Sequence, residues 1–137
     1  MRVSFDSSAF VKRYISEPGT DEVLRWCDHA DELAMSIVAL PELFSALNRL
    51  RREQRLTEAQ YHLIKSDVLD DIADVSLCDV TPLLVEETLT LLEAHTLRGM
   101  GAIHVAAAIA WNAEVFLSSD VQQCAAARAA GLHVVVV

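Results

Sequence analysis

Three carboxylates stand where an acid could do chemistry. Asp6 follows the apolar stretch "RVSF" and Asp120 follows "VFLSS", each just ahead of a helical segment. Acids at the carboxyl ends of parallel strands lie where the ligands of open α/β sheets gather. Their oxygens suit a hard divalent cation: Mg²⁺ takes oxygen ligands and keeps several waters. Beside a phosphodiester, such an ion polarises a phosphoryl oxygen and activates water. Glu42 is the third acid. It sits two residues from Leu40, about 200° round its helix and so off the buried stripe. Each acid also has a plain structural reading. Asp6 and Asp120 are good N-caps, and Glu42 lies in early helical turns where negative charge is favourable. Ser7, Ser8, Ser118 and Ser119 could equally be caps.

Other chemistries find less support. No Ser-His-Asp or Cys-His arrangement can be inferred from spacing, and His29, His62, His95 and His133 show no ligand spacing. His104 lies in an apolar helix and reads as a hydrogen-bonded packing residue. Cys27, Cys78 and Cys124 are an odd number without CxxC spacing. That argues against zinc or a disulfide frame and for a reducing compartment. A phosphoacceptor receiver domain needs paired acids after its first strand and a late lysine. Here the first strand ends "FDSS" and the last lysine is Lys65. A DxD phosphatase is disfavoured because Ser8 occupies the second acid's place.

The elements that would position the acids alternate. "RVSFD", "ELAMS", "DVSLCDV", "VFLSS" and "LHVVVV" read as short apolar strands. Between them, helices are expected over 7–15, from Thr20 as N-cap over 20–30, from about Ser36 through the arginine-rich stretch, and from Thr57 to about Asp71. Two more run from Pro82 to about His95 and over 101–111, and a last one covers 121–130 and stops at Gly131. Leu40, Leu43, Phe44, Leu47 and Leu50 form one stripe. Leu84, Val85, Thr88, Leu91 and Leu92 form another. "GAIHVAAAIAW" is apolar nearly all round and should be buried on several sides. Such alternation predicts an α/β fold, a mainly parallel central sheet covered on both faces. A chain of 137 residues fits one domain, 1–137.

The formal net charge is −9. Nucleic-acid binders are usually basic, so bulk capture of a polyanion is disfavoured. The four arginines Arg49, Arg51, Arg52 and Arg55 of "NRLRREQR" read first as a solvated helix face paired with acids. "MRVSFDSSAF" has no apolar signal core, and the longest apolar run is too short to span a bilayer. The expected location is the cytoplasm, with no membrane partner.

Taken together, "FDSSAFVKRYISEPGTDEV", "ALPELFSALNRL", "LRGMGAIHVAAA" and "FLSSDVQQCAAARAAGLHVV" resemble the PIN-domain ribonucleases, and most nearly the VapC-type toxins of bacterial toxin–antitoxin pairs. The resemblance covers essentially the whole chain in order. It implies a PIN-like three-layer α/β/α sandwich and a Mg²⁺- or Mn²⁺-dependent endoribonuclease. It implies Asp6, Glu42 and Asp120 as metal-binding and catalytic acids, with Ser8 and Ser118 supporting them. It also implies a cognate VapB-like antitoxin and a homodimer. An RNA substrate would need a local basic strip, for which Arg49, Arg51, Arg52, Lys12 and Arg13 are the candidates. One position departs from the family pattern: "DAIH" is expected where this chain has Gly101 before "AIH". Losing a carboxylate weakens cation binding, because ligand charge and count set affinity. The expectation is activity that is lost or reduced, and recoverable by Gly101→Asp. The alternative is a noncatalytic PIN-fold module that binds an antitoxin or another protein.

Overall fold

The computed structural model describes all 137 residues, Met1–Val137. The chain enters the middle of a five-stranded sheet as β1 (Arg2–Phe5). It builds outward through β2 (Glu32–Ser36) and β3 (Val75–Cys78), then crosses back and builds the other side through β4 (Val115–Ser118) and β5 (His133–Val136). The spatial order is 3-2-1-4-5, and every adjacent pair is parallel. The winding direction reverses between β1 and β4, where Phe5 lies opposite Leu117. Connections leave such a reversal point in opposite directions and open a crevice at the strands' carboxyl ends.

Helices cover both faces. Along β1 and β4, Val3, Phe5, Val115 and Leu117 point to one side. There they meet Phe10 of α1 (Ser7–Phe10), Val23 of α2 (Thr20–His29), Leu43 and Leu47 of α3 (Ala39–Arg52), and Tyr61 and Val68 of α4 (Glu58–Asp71). Phe116 points the other way. It packs on Val105 and Ala108 of α6 (Gly99–Ala110) and on Ala126 and Ala127 of α7 (Val121–Ala129). The alanines of α6 also let α5 (Pro82–Ala94) approach, with Leu84 against Ala106 and Ala107. This is the expected three-layer α/β/α arrangement, and α6 is indeed buried on several sides.

Several boundaries differ from the sequence reading. The first helix is a single α turn that tightens into a 3-10 turn, Val11–Arg13. Thr20 does not cap α2. Its hydroxyl accepts from the Glu17 N–H and donates to the Ile15 carbonyl, which braces the preceding loop. The capping position belongs to Gly19 at φ +98°. Ser36 closes β2, so α3 starts at Ala39. Gly99, not Gly101, opens α6. Val85 is exposed rather than inward, because α5 rests on α6 along a narrow line through Leu84 and Thr88.

Gly19 and Gly99 yield a test of this backbone. A Cβ on Gly19 would sit 3.0 Å from the Val137 carbonyl carbon, at a positive φ that L side chains resist. Gly99 has open space around the same position. Gly19→Ala is expected to cost at least about 1–2 kcal/mol. Gly99→Ala should be neutral or gain up to about 1 kcal/mol. Urea unfolding midpoints read both, and a Gly19→Ala protein as stable as the parent would contradict the assigned turn.

Candidate functional site

The crevice at the reversal point is built around Asp6. The β1–β4 ladder extends one residue past β1, where the Asp6 N–H donates to the Leu117 carbonyl at 3.2 Å. The chain then turns into α1, and Asp6 caps it by accepting from the Ala9 N–H at 3.0 Å. That capping holds the carboxylate in the crevice at 2% exposure. Ser8 donates to both of its oxygens, at 2.7 and 2.8 Å, and Ser118 donates to Oδ2 at 2.8 Å. Both hydroxyls have their direction set from behind. Ser8 Oγ accepts from the Ser119 N–H at 3.0 Å, and Ser118 Oγ accepts from the Asp120 N–H at 2.9 Å. Each therefore has its single proton free for Asp6. Burial pushes the Asp6 carboxyl above its ordinary pKa, and the hydrogen bonds from Ser8, Ser118 and Ala9 oppose that shift without cancelling it.

Asp120 begins the second wall. It caps α7 through Oδ1, which accepts from the N–H groups of Gln122 at 2.9 Å and Gln123 at 3.2 Å. Unlike Asp6 it is solvent-exposed. Glu42 comes from the first turn of α3. Its Oε1 lies 2.5 Å from His104 Nε2 and accepts from Ser7 Oγ at 3.1 Å. The His104 hydrogen bond holds the Glu42 carboxyl below its usual pKa range, against a smaller opposing effect of burial. His104 is itself buried, and its Nδ1 has no partner. Nε2 is the nitrogen that faces the carboxylate, so it is the ring's donor to Glu42.

Asp6, Glu42, Asp120, Ser8, Gly101 and His104 line one cleft of about 420 Å³, with Arg98 at its rim. Ser118 supports it from beneath. Gly101 lies in the first turn of α6 with Gln123 across from it; a Cβ at 101 would meet the Gln123 side chain at 3.2–3.5 Å. Gln123 is 6% exposed, its Nε2 lies 3.5 Å from Asp120 Oδ2, and its Oε1 has no partner. Leaving such an acceptor unpaired costs about 1–3 kcal/mol.

No three His, Cys, Asp or Glu side chains form a ready cage for a metal ion. Mg²⁺ does not require one, since it is commonly held by one or two carboxylates together with waters and substrate phosphates. The donors available here are the carboxylates of Asp6, Asp120 and Glu42, all hard oxygen ligands of the kind a divalent cation takes.

The basic residues divide. Arg49 and Arg55 line a second cleft of about 310 Å³ that shares Ser7, Ser8 and Glu42 with the first. Arg52 is exposed on α3 but lines neither cleft. Arg51 lies over the Tyr61 ring and pairs with Glu58. Lys12 and Arg13 are committed elsewhere. Lys12 is buried, donating to the Pro18 carbonyl at 2.7 Å and pairing with Glu17, and Arg13 pairs with Asp71 at 3.0 Å. They brace the α1–α2 loop and α4, so neither supplies the basic strip expected of them. Sequence reasoning missed Gln123, Arg98 and the His104–Glu42 bond. The available signals were the i,i+3 spacing of Asp120 to Gln123 and of Gly101 to His104 on their helices.

The family model for the PIN domain matches residues 3–129. Ribonuclease VapC45 of Mycobacterium tuberculosis is 34% identical over 108 residues, covering 79% of this chain and 75% of that protein. Ribonuclease VapC49 of the same species matches to the same extent, 34% over 108 residues and the same 79% and 75% coverage. Among solved structures, VapC20 of M. tuberculosis, described as a sarcin–ricin loop cleaving toxin, superposes with a TM-score of 0.68 at 16% identity, over 95% of each chain. VapBC2 of Rickettsia felis, bound to a DNA fragment from its promoter, gives 0.66 at 12% identity over 98% of each chain. These distant structures share the fold, while the family match runs over all three acid-bearing segments. The chain belongs to the PIN-domain family and groups within it with the VapC ribonucleases.

Proposed function

We propose that the chain is a Mg²⁺- or Mn²⁺-dependent endoribonuclease of a bacterial toxin–antitoxin pair, with activity reduced by the glycine at 101. The observation that carries the reading is a buried carboxylate, Asp6, clamped by Ser8 and Ser118 at the sheet's reversal point, with Asp120 and Glu42 on the same cleft. A charge so buried is costly without a counter-charge. A divalent cation in that cleft would polarise a phosphoryl oxygen and activate a water for attack on phosphorus.

The chain's own groups would do the rest. The serine hydroxyls keep Asp6 oriented, and His104 keeps Glu42 ionised at neutral pH. Arg98 on one side and Arg49 on the other would hold successive phosphates of a single strand across Ser7, Ser8 and Glu42. A strand guided by a few placed cations fits a protein of net charge −9 better than bulk attraction does.

The same acidic cleft would accept a basic side chain from a VapB-like antitoxin. Leu83, Val85 and Leu89 expose an apolar strip on α5, which supports pairing with a second copy. No helix is long and apolar enough to cross a membrane, and the three cysteines are free thiols, in keeping with a cytoplasmic site of action.

Cleavage of a mixed RNA substrate with metal added or chelated tests the reading. Cleavage should require Mg²⁺ or Mn²⁺ and fall at least about 100-fold in Asp6→Asn, the scale on which a single electrostatic donor acts. Metal-independent cleavage would refute it, and no cleavage by a folded protein would favour the noncatalytic module. Arg49→Ala should weaken binding of single-stranded RNA and lower the slope of log K against log salt by about 0.7, the value for one phosphate contact. Filter binding across a salt series measures this, with Arg52→Ala changing the slope less.

A further inference from the structure

We infer that the second cleft is a base-reading subsite, in which Glu17 accepts from the two adjacent donors of a guanine next to the scissile phosphate. This rests on the RNA-cleaving reading above and adds to it which base the strand carries there.

The second cleft, of about 310 Å³, continues from the first, since Ser7, Ser8 and Glu42 line both. Beyond those polar groups its lining turns apolar. Val11 and Ile15 come from the segment after α1, and Leu43, Ala46 and Leu50 come from α3. Glu42, Ala46, Arg49 and Leu50 follow one another at i, i+4, i+7 and i+8, which is one face of a helix. A single helix therefore fixes an acid of the site, part of the apolar lining and a guanidinium. Arg55 lines the groove as well. An apolar surface bordered by guanidinium groups suits a splayed-out base and its phosphates, the form in which single-stranded RNA is read. The volume is at the small end for sites that enclose a small molecule, which is enough for one base. Two arginines and an acid in the lining fit a nucleotide better than the apolar face of a partner helix, which docks on hydrophobic grooves.

Glu17 lines the same groove and is held at both backbone and side chain. Its N–H donates to Thr20 Oγ1 at 3.0 Å, and its carbonyl accepts from the Thr20 N–H at 3.1 Å. Its Oε1 pairs with Lys12 Nζ at 3.3 Å. Lys12 is in turn buried and donates to the Pro18 carbonyl at 2.7 Å. The lysine that is lost to the basic strip thus sets the position of an acid in the groove. Each carboxylate oxygen accepts more than one hydrogen bond, so Glu17 offers two acceptors side by side. Guanine is the base that presents two adjacent donors, N1–H and the N2 amine, on its Watson–Crick edge. Adenine and cytosine set a ring acceptor beside their amine, and uracil flanks N3–H with two carbonyls. Each of those three brings a lone pair against a carboxylate oxygen.

Fluorescence anisotropy of end-labelled hexauridines carrying one central G, A, C or inosine tests the inference, beside the plain hexauridine. The titrations run in Ca²⁺, which takes the same hard oxygen ligands as Mn²⁺. Wild type should bind the G oligonucleotide at least about fivefold more tightly than the A, C and U ones, the lower end for a bidentate base contact. Inosine, which lacks the N2 amine, should fall between. Glu17→Gln keeps an oxygen for Lys12 but offers one acceptor and one donor, the pattern that pairs with adenine, so the preference should pass from G to A. Arg49→Ala should weaken every oligonucleotide by the same factor. Ala46→Trp, which fills the groove, should erase the preference, with thermal unfolding as the check that it folds. Equal binding of all bases by wild type, or a G preference that survives Glu17→Gln, overturns the inference and leaves the RNA-cleaving reading standing. A preference that survives in folded Ala46→Trp also overturns it and leaves the groove to a protein partner. If wild type binds none of the oligonucleotides, both readings fall. Should Ala46→Trp fail to fold, the exposed Glu17 variant decides.

Discussion

The molecule is organised around a carboxylate that the fold desolvates and then holds still. Asp6 is reached by two hydroxyls, and each of these takes an amide proton from the loop that follows β4. Ser8, on α1, accepts from Ser119, and Ser118, at the end of β4, accepts from Asp120. The two loops bordering the reversal point are thus stitched together through one acid. Only a sheet entered at its centre and wound outward in both directions brings these loops side by side. The cap on α1, the β1–β4 register and the position of Asp120 all bear on that one group.

The surrounding charges are treated differently according to depth. Asp6 is buried and resists ionisation. Glu42 is partly open and is kept ionised by His104. Asp120 is exposed and spends one oxygen on the first amides of α7. These are three environments for one residue chemistry, set by which helix each acid caps or begins. The glycine at 101 removes a fourth charge from the α6 side, and the volume it frees is taken by a neutral amide from α7. A chain with fewer clustered acids has less self-repulsion in its crevice and a weaker hold on a cation.

Much of this was legible in the sequence because the pattern there is local. "RVSF" and "VFLSS" are short, apolar and followed at once by acids, so strand ends and carboxylates could be read together. The cap-forming aspartates and the neighbouring serines carry the same information twice. What was not legible depends on contacts between distant segments. Lys12 and Arg13 look like free cations until the fold places Glu17 and Asp71 beside them. Val85 looks inward until α5 is seen to touch α6 along a narrow line. Gln123 sits in an unremarkable polar pair after Asp120, and only the packing of α7 on α6 brings it over Gly101. His104 reads as a hydrogen-bonded packing residue and is one, but its partner Glu42 comes from α3, far away in the chain.

The account rests on Asp6 being a buried charge that lacks its counter-charge, and a stability comparison of wild type with Asp6→Asn measures this directly. Because the folded-state pKa of Asp6 is raised, its ionised form costs stability at neutral pH. Without metal, wild type should therefore lose stability relative to Asp6→Asn as the pH rises from about 4 to 7, on top of the constant offset from the Ser8, Ser118 and Ala9 hydrogen bonds that the variant loses. That change should vanish below the ordinary aspartate value of about 4. Adding Mn²⁺ should stabilise wild type by linkage and leave Asp6→Asn unmoved. A midpoint difference that does not change with pH, with both proteins responding to Mn²⁺ in parallel, would contradict the account.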